Sequence, residues 1–396
     1  MTKKLKILQV YPYFYPAWSY GGVTRISYEI SKKLADNGND VVVYATDTLD
    51  KKSRIKIEEN PIKHNGIKIY YFKNISNYVT SRYKIPFPIE MPFIVKNQIK
   101  EFDIIHLHGH RHVLSLIVFY FAKRYKIPYI LQTHGDIPYV NQRTIVKKIY
   151  DFIWGYEILK NASKVIAVTK TEAEQYKKIG VSEDKIVIIP NGVDLSLFHH
   201  LPKKGTFRDK YRISLDAKIV LYLGRLHKIK GIDLLIDAFS ELQKQVPMSK
   251  LVIVGPDEGF YVTLRNQASR SNVGDNIIFT GPLYGEDKLS VYVDADAYVL
   301  PSIYEAFAIT VLEAWMCGTP VIVTKGCSIS DLVGNAGLVV EYDKYELKNA
   351  ILKVFKNDDE IKKFKENGKR LVTETLNIES SVNKIEELYL QSISGG

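Results

Sequence analysis

Cysteine is nearly absent: Cys317 and Cys327 are the only two in 396 residues. They lack metal-ligand spacing and cannot staple a fold of this length. A disulfide framework is thereby excluded, and a reducing compartment is the default. Long apolar runs are also missing. The longest, VLSLIVFYFA at 113–122, is about half of a bilayer span and reads as a buried helix. The opening MTKKLKILQVYPYF has a short apolar stretch broken by Lys6 and no small-residue cleavage site, so it is not read as a signal peptide. No short-period repeat is visible. What remains is a globular composition, 46% hydrophobic and 25% charged, and a length that suits two domains better than one core.

The net charge of +11 is uneven. Residues 1–195 carry 30 Lys and Arg against 18 Asp and Glu, while 196–396 carry 25 against 26. A basic first half favours anionic partners such as nucleic acid, anionic lipid or phosphorylated substrates, and is equally compatible with a solubilising surface.

Short apolar runs alternate with amphipathic stretches, the pattern of an α/β protein with mostly parallel sheets under helices. In the first half the strand runs are 6–11, 40–46, 66–72, 103–108, 129–134, 164–169 and 185–190. Helices are expected at Gly22–Asn37 and Thr144–Asn161. After a polar linker at 199–215 a second series follows: 218–224, 250–255, 276–281, 297–302, 320–324 and 337–342. Gly and Pro punctuate its turns. A last amphipathic helix is read at Ile378–Leu390. The simplest architecture is two doubly wound, Rossmann-like domains facing a central cleft, with bounds 1–195 and 196–376 and a closing helical segment 377–396.

In such sheets ligands bind beyond the carboxyl ends of the strands. The first strand leads through an aromatic loop to Gly21 and Gly22 at a helix start, where an anion can approach backbone N–H groups, though a plain tight turn explains the pair as well. The loop LGRLHKIKG brings Arg225, His227, Lys228 and Lys230 before another helix. Arg grips phosphate oxygens in a fork and Lys adds a point charge; a solvated basic turn is the alternative. In SIYEAFAITVLEAWMCGTPVIV, Glu305 is read as opening a helix that contains Glu313. Eight positions are about 12 Å of rise and about 80° of rotation, roughly the reach from the hexose of a nucleotide sugar to its ribose. The free N–H groups over Phe307, Ala308, Ile309 and Thr310 suit an anion or a hydroxyl. Spacing alone leaves open that Glu305 is a helix cap and Glu313 a buried partner of an Arg. His106, His108, His110 and His112 alternate, but the strand stops at Gly109 and no acidic or cysteine ligand lies at metal spacing, so no metal site is assigned. His134, in THGD at a strand end, is the most plausible catalytic-side histidine.

Taken in order, the Gly-Gly after the first strand, THGD, PNGVD, GRLHKIKG and YEAFAITVLEAWMCGTPVI make a sequence that resembles the retaining GT-B glycosyltransferases, in particular glycosyltransferase family 4. NAGLVVEYD at 335–343 resembles the family's following segment, and the likeness covers nearly the whole chain. It implies a hexose transferred from a UDP- or GDP-sugar to a hydroxyl of a glycan or lipid-linked acceptor, with retention, and neither a cofactor nor a metal. Arg225 and Lys230 would neutralise the leaving diphosphate, Glu305 would hold the transferred sugar and Glu313 the ribose. Backbone N–H groups over Phe307–Thr310 would meet sugar or phosphate. Gly21 and Gly22 would approach the diphosphate, and His134 would lie beside the sugar. Tyr20, His110, Arg111 and Asp136 fall on the acceptor side. Where relatives often carry glycine this chain has Ala306 and Ala308, and alanine disfavours positive φ.

For the acceptor, RTIVKKIYDFIWGYEILK at 143–160 reads first as an amphipathic core helix. A second reading lays it on an anionic membrane, at the inner face of which a cytoplasmic enzyme would work. The loop YKIPFPIEMPF at 83–93 is another acceptor-side candidate. Two further functions stay open: a nucleotide-sugar epimerase of the same fold, and a basic nucleic-acid-binding protein, for which no recognition motif is present.

Overall fold

The computed structural model describes residues 4–50, 52–76, 80, 86–139, 144–271 and 273–395. The chain forms two compact units, Met1–Asn191 with Ile378–Gly396, and Gly192–Asn377.

The first unit holds an eight-stranded sheet in the order β3-β4-β2-β1-β5-β6-β7-β8. Its strands are β1 Lys6–Val10, β2 Asp40–Thr46, β3 Ile62–His64, β4 Ile67–Phe72, β5 Ile104–His108, β6 Tyr129–Gln132, β7 Lys164–Ala167 and β8 Ile186–Ile188. Successive residues such as Val41, Val42 and Val43 are all buried, as expected where helices cover both faces of a parallel sheet. The helix Gly22–Asp36 buries Ile26, Ile30 and Leu34, a stripe every fourth residue. The helix Ile378–Ser394 belongs to this unit. It buries Val382, Ile385, Leu388 and Tyr389, and its Glu386 binds the side chains of Asn37 and Asn39.

The second unit is a six-stranded parallel sheet in the order β11-β10-β9-β12-β13-β14. Here β9 is Lys218–Leu223, β10 Ser249–Val254, β11 Ile277–Gly281, β12 Ala297–Leu300, β13 Val321–Thr324 and β14 Gly337–Val340. In each unit the chain leaves two adjacent central strands in opposite directions. The first such point lies between β1 and β5, the second between β9 and β12.

Four sequence expectations change. The edge strand β3, antiparallel to β4, was not expected: three residues give too short a pattern to read. The stretch 199–215 is no linker. It contains the helix Thr206–Tyr211, whose first N–H groups are held by the buried Asp294, with Gly205 N at 2.5 Å, Phe207 N at 2.8 Å and Arg208 N at 3.0 Å. The helix after Glu305 starts at Ile309, not at Glu305. The Thr144–Asn161 helix is continuous but widens to a π-turn over Asp151–Gly155, and it is not an ordinary core helix, since its outer face is apolar. Arg143, and residues 83–85 of the other acceptor-side candidate, lie outside the described residues.

VLSLIVFYFA falls in the helix Val113–Tyr125, which buries Leu114, Val118, Phe119 and Ala122. Among the described residues no helix is long and apolar enough to cross a membrane. Both cysteines are free, and burial pushes each thiol up to about 12.

Candidate functional site

In the second unit the loops after β9 and β12 meet at the switch point. Gly231 makes this possible. Its φ is +64°, and a Cβ there would lie 2.0 Å from the carbonyl oxygen of Pro301, so only glycine lets the β9 loop close on the β12 loop. Ile303 N donates to Ile229 O across the same seam at 2.9 Å. The result is direct contact between Lys230 Nζ and Glu305 Oε2, with both side chains mostly buried. Two buried tyrosines brace the loops from below. Tyr222 donates to the Arg225 carbonyl at 3.0 Å, and Tyr298 donates to Thr310 Oγ1 at 2.6 Å.

Arg225 extends its Nη1 to both oxygens of Glu258, at 2.9 and 2.8 Å, and its side chain remains 45% exposed. Burial works against its charge, but Glu258 and Glu305 outweigh that and hold its pKa above the ordinary value. Lys230, Arg225 and Glu305 are therefore brought together.

Glu313 is not on a shared helix face with Glu305. Glu305 sits in an extended bridge, donating N–H to Gly326 O at 3.1 Å and accepting from Ser328 N at 2.8 Å. The helical rise between the two acids, read from the sequence, therefore does not apply, and Glu305 is no cap. Glu313 lies inside the helix Ile309–Met316. It is buried, and partnered by Lys288 Nζ at 2.6 Å and Tyr292 OH at 3.1 Å; a lysine rather than an arginine stands opposite. Phe307 and Ala308 precede the helix and are buried, so the helical N–H donors begin at Ile309. Neither Ala306 nor Ala308 has positive φ, so alanine is unstrained at both.

In the first unit Gly21, at φ +94°, caps the helix that begins at Gly22. Tyr20 stacks on Tyr13 with centroids 3.8 Å apart. His134 lies beyond β6 with φ +53°, a left-handed conformation uncommon outside glycine. Glu172 holds this turn from beneath, accepting from Thr133 Oγ1 at 2.7 Å, Gly135 N at 2.6 Å and Val168 N at 2.7 Å. A hydrogen-bonded file then runs from the last helix to His134. Gln9 Nε2 donates to Tyr389 OH at 2.9 Å, Gln9 Oε1 meets His108 Nε2 at 2.7 Å, and His108 Nδ1 meets His134 Nε2 at 2.9 Å. With Gln9 oriented so, His108 carries its proton on Nε2, His134 donates from Nε2, and His134 Nδ1 is left as an acceptor. Burial depresses His134 and His106 to about 3 and His112 to about 4, with His108 well below its usual value. All four are neutral at pH 7.

The other acceptor-side residues are engaged inside their unit. Arg111 grips Asp151, with Nη2 at 2.6 Å, and reaches Asp136 at 3.3 Å. Asp136 also binds Lys147 at 3.0 Å; these two cations outweigh burial and keep its carboxyl below the usual range. His110 Nε2 is 3.3 Å from Asp151 Oδ1. Among the described residues no group of three or more His, Cys, Asp or Glu is placed to hold a metal ion.

Sequence reasoning missed Glu258, Lys288, Tyr292, Glu172 and Gln9. Only Glu172 left a signal: three residues after Thr169 it has the spacing of a capping box, and Thr169 does accept its N–H.

Two doubly wound units, with glycine and charged loops at their switch points, define the chain as a protein of the GT-B class. The family model for glycosyl transferases group 1 matches residues 203–371, and that for glycosyltransferase family 4 matches residues 20–197. The chain belongs to this family and is a glycosyltransferase. An uncharacterized glycosyltransferase of Methanocaldococcus jannaschii is 23% identical over 401 residues, covering 98% of each chain. Mannosylfructose-phosphate synthase of Agrobacterium fabrum is 32% identical over 212 residues, 51% of this chain and 47% of that one. In fold, the chain is similar to Anabaena HepE, whose crystal structure contains UDP-glucose. The TM-score is 0.78 at 19% identity, covering 98% of this chain and 100% of the other.

Proposed function

We propose that the chain transfers a hexose from a nucleoside-diphosphate sugar to a hydroxyl of a glycan or lipid-linked acceptor, with retention of configuration. The observation that carries this is the cationic pair at the β9/β12 switch point. Lys230 has three N–H donors and its contact with Glu305 uses one. Arg225 is exposed enough to turn from Glu258 to a phosphate. The helix N–H groups at Ile309 and Thr310 add positive potential where the leaving diphosphate gains charge. UDP-glucose in the structurally similar HepE supports this donor class.

Glu305, fixed by Lys230, would accept the hydroxyls of the transferred sugar. His134 keeps the sugar-side role implied by the family resemblance, with Nδ1 as the acceptor it offers, and its left-handed backbone, held by Glu172, is the kind of local strain found at functional positions. Gly21 and Gly22 keep the anion-facing role implied by the family resemblance. Tyr20 is kept on the acceptor side; His110, Arg111 and Asp136 act there by fixing the Thr144–Asn161 helix.

Bond making and breaking would take place on one face of the sugar. The anomeric carbon–oxygen bond to the diphosphate breaks, the acceptor oxygen bonds the same face, and the acceptor's proton passes to the departing phosphate oxygen. With Glu305 engaged by Lys230, no covalent sugar–enzyme bond is invoked; a trapped glycosyl-enzyme adduct overturns this step.

Glu313 is proposed to hold the ribose, sharing its carboxylate with Lys288 and Tyr292. Glu313→Gln should raise the Kd for UDP or GDP about tenfold or more while leaving pyrophosphate, which has no ribose, unaffected. Equal losses for both ligands in calorimetric titrations would mean that Glu313 only supports the fold. The function as a whole is tested by incubating the protein with a panel of UDP- and GDP-sugars, with and without glycan acceptors. Acceptor-dependent release of nucleoside diphosphate supports it. Donor conversion to an isomeric nucleotide sugar without acceptor makes the protein an epimerase.

A further inference from the structure

The Thr144–Asn161 helix buries Ile158 and Leu159 in its last turn, but up to Gly155 it is built inside out. Its inward side is polar: Lys147 binds Asp136 at 3.0 Å, Tyr150 donates to the His110 carbonyl at 2.9 Å, and Asp151 accepts from Arg111 Nη2 at 2.6 Å and Tyr139 OH at 2.9 Å. Gly155 is part of this construction, since a Cβ there would stand 2.4 Å from Asp151 Oδ1. The outward side is apolar. Phe152 is 83% exposed and Ile145 74%, and Val146, Ile149, Ile153 and Trp154 are exposed beside them. A fold that buries the ions and exposes these six side chains leaves a patch that needs a partner.

We propose that residues 145–154 dock on an anionic lipid bilayer, with the apolar side chains in the headgroup–acyl boundary and Lys148 at the level of the phosphates. Charge selects the bilayer over a second copy of the chain. Lys148 is exposed on this segment, its only acid, Asp151, is turned inward and neutralised, and residues 1–195 hold the whole positive excess of the chain. Two copies would bring like charges together, whereas anionic lipid attracts them. Trp154 supplies the aromatic side chain favoured at a membrane–water boundary. This inference goes beyond the donor chemistry and stands independently of it.

The test is co-sedimentation of the intact protein with vesicles of phosphatidylcholine alone or mixed with phosphatidylglycerol. The wild type should partition onto the mixed vesicles and much less onto the neutral ones. Phe152→Asp and Ile149→Asp should each lower partitioning about tenfold or more, and Lys148→Glu should weaken it by nearly as much. Melting temperature and nucleoside diphosphate binding should be unchanged in all three, so failure of docking and failure of the donor reading are read separately. Absence of partitioning, or partitioning untouched by both Asp variants, overturns the proposal. A dimer seen by light scattering and dissolved by Phe152→Asp overturns it too, and assigns the face to a second copy.

Discussion

Lys230→Ala should lower kcat for sugar transfer by about a hundred- to a thousandfold, the typical loss when one preorganised donor to developing charge is removed. Lys230 is held in place before substrate arrives, by Glu305 on one side and by the close packing of Gly231 on Pro301 on the other. It therefore spends little on ordering at the moment of reaction. Because its charge meets a leaving group whose negative charge grows along the path, kcat should fall further than donor binding weakens, the mark of a contact present in the ground state and strengthened in the transition state. Arg225→Ala should be damaging by the same reasoning but less so, since Arg225 is half-exposed and must leave Glu258. Turnover of Lys230→Ala within threefold of wild type, in folded protein with saturating donor, would remove the diphosphate role from this lysine.

The first unit should lose stability steeply in mild acid. Burial holds His106, His112 and His134 neutral down to about 3, 4 and 3, whereas an unfolded histidine titrates near 6.5. Below that pH the unfolded state binds protons that the folded state refuses, so unfolding becomes easier as pH falls. Each such histidine contributes a slope of at most about 1.4 kcal/mol per pH unit, so together they remove on the order of several kcal/mol by about pH 4.5. That is comparable with the whole stability of an ordinary domain. The stabilisation is intact above about pH 6.5 and is lost progressively towards the folded-state values. Urea unfolding followed by circular dichroism at a series of pH values measures it. A flat profile between pH 7 and 5 would show that these imidazoles accept protons in the folded protein.

Much of the fold was legible because the chain punctuates itself. Gly or Pro closes most strand runs of the second unit, and every run read as a strand overlaps one, with bounds that agree to within two residues at either end. The three-residue β3 carried too few alternations to see. Charged partners were the harder part. Glu258 lies 33 residues from Arg225 and Lys288 lies 25 from Glu313, and no local periodicity connects residues so far apart. The Glu305–Glu313 spacing misled for a related reason. Helical arithmetic assumed a helix from Glu305, but Gly326 and Ser328 hold that residue in extended pairing until the chain turns at Ala308. Residues 144–161 show the limit of amphipathic pattern itself. Periodicity reveals that a helix has two faces but not which is inward, and here the buried Arg111–Asp151 pair turns the apolar face out.

The most direct check of the central claim is calorimetric titration of UDP, GDP and pyrophosphate into the wild type and Lys230→Ala. If the β9/β12 loops grip the diphosphate of an activated sugar, one nucleoside diphosphate binds at one site per chain, and Lys230→Ala weakens it and pyrophosphate alike by about tenfold or more. No binding of any of the three to the wild type, or equal binding to wild type and variant, would contradict the claim.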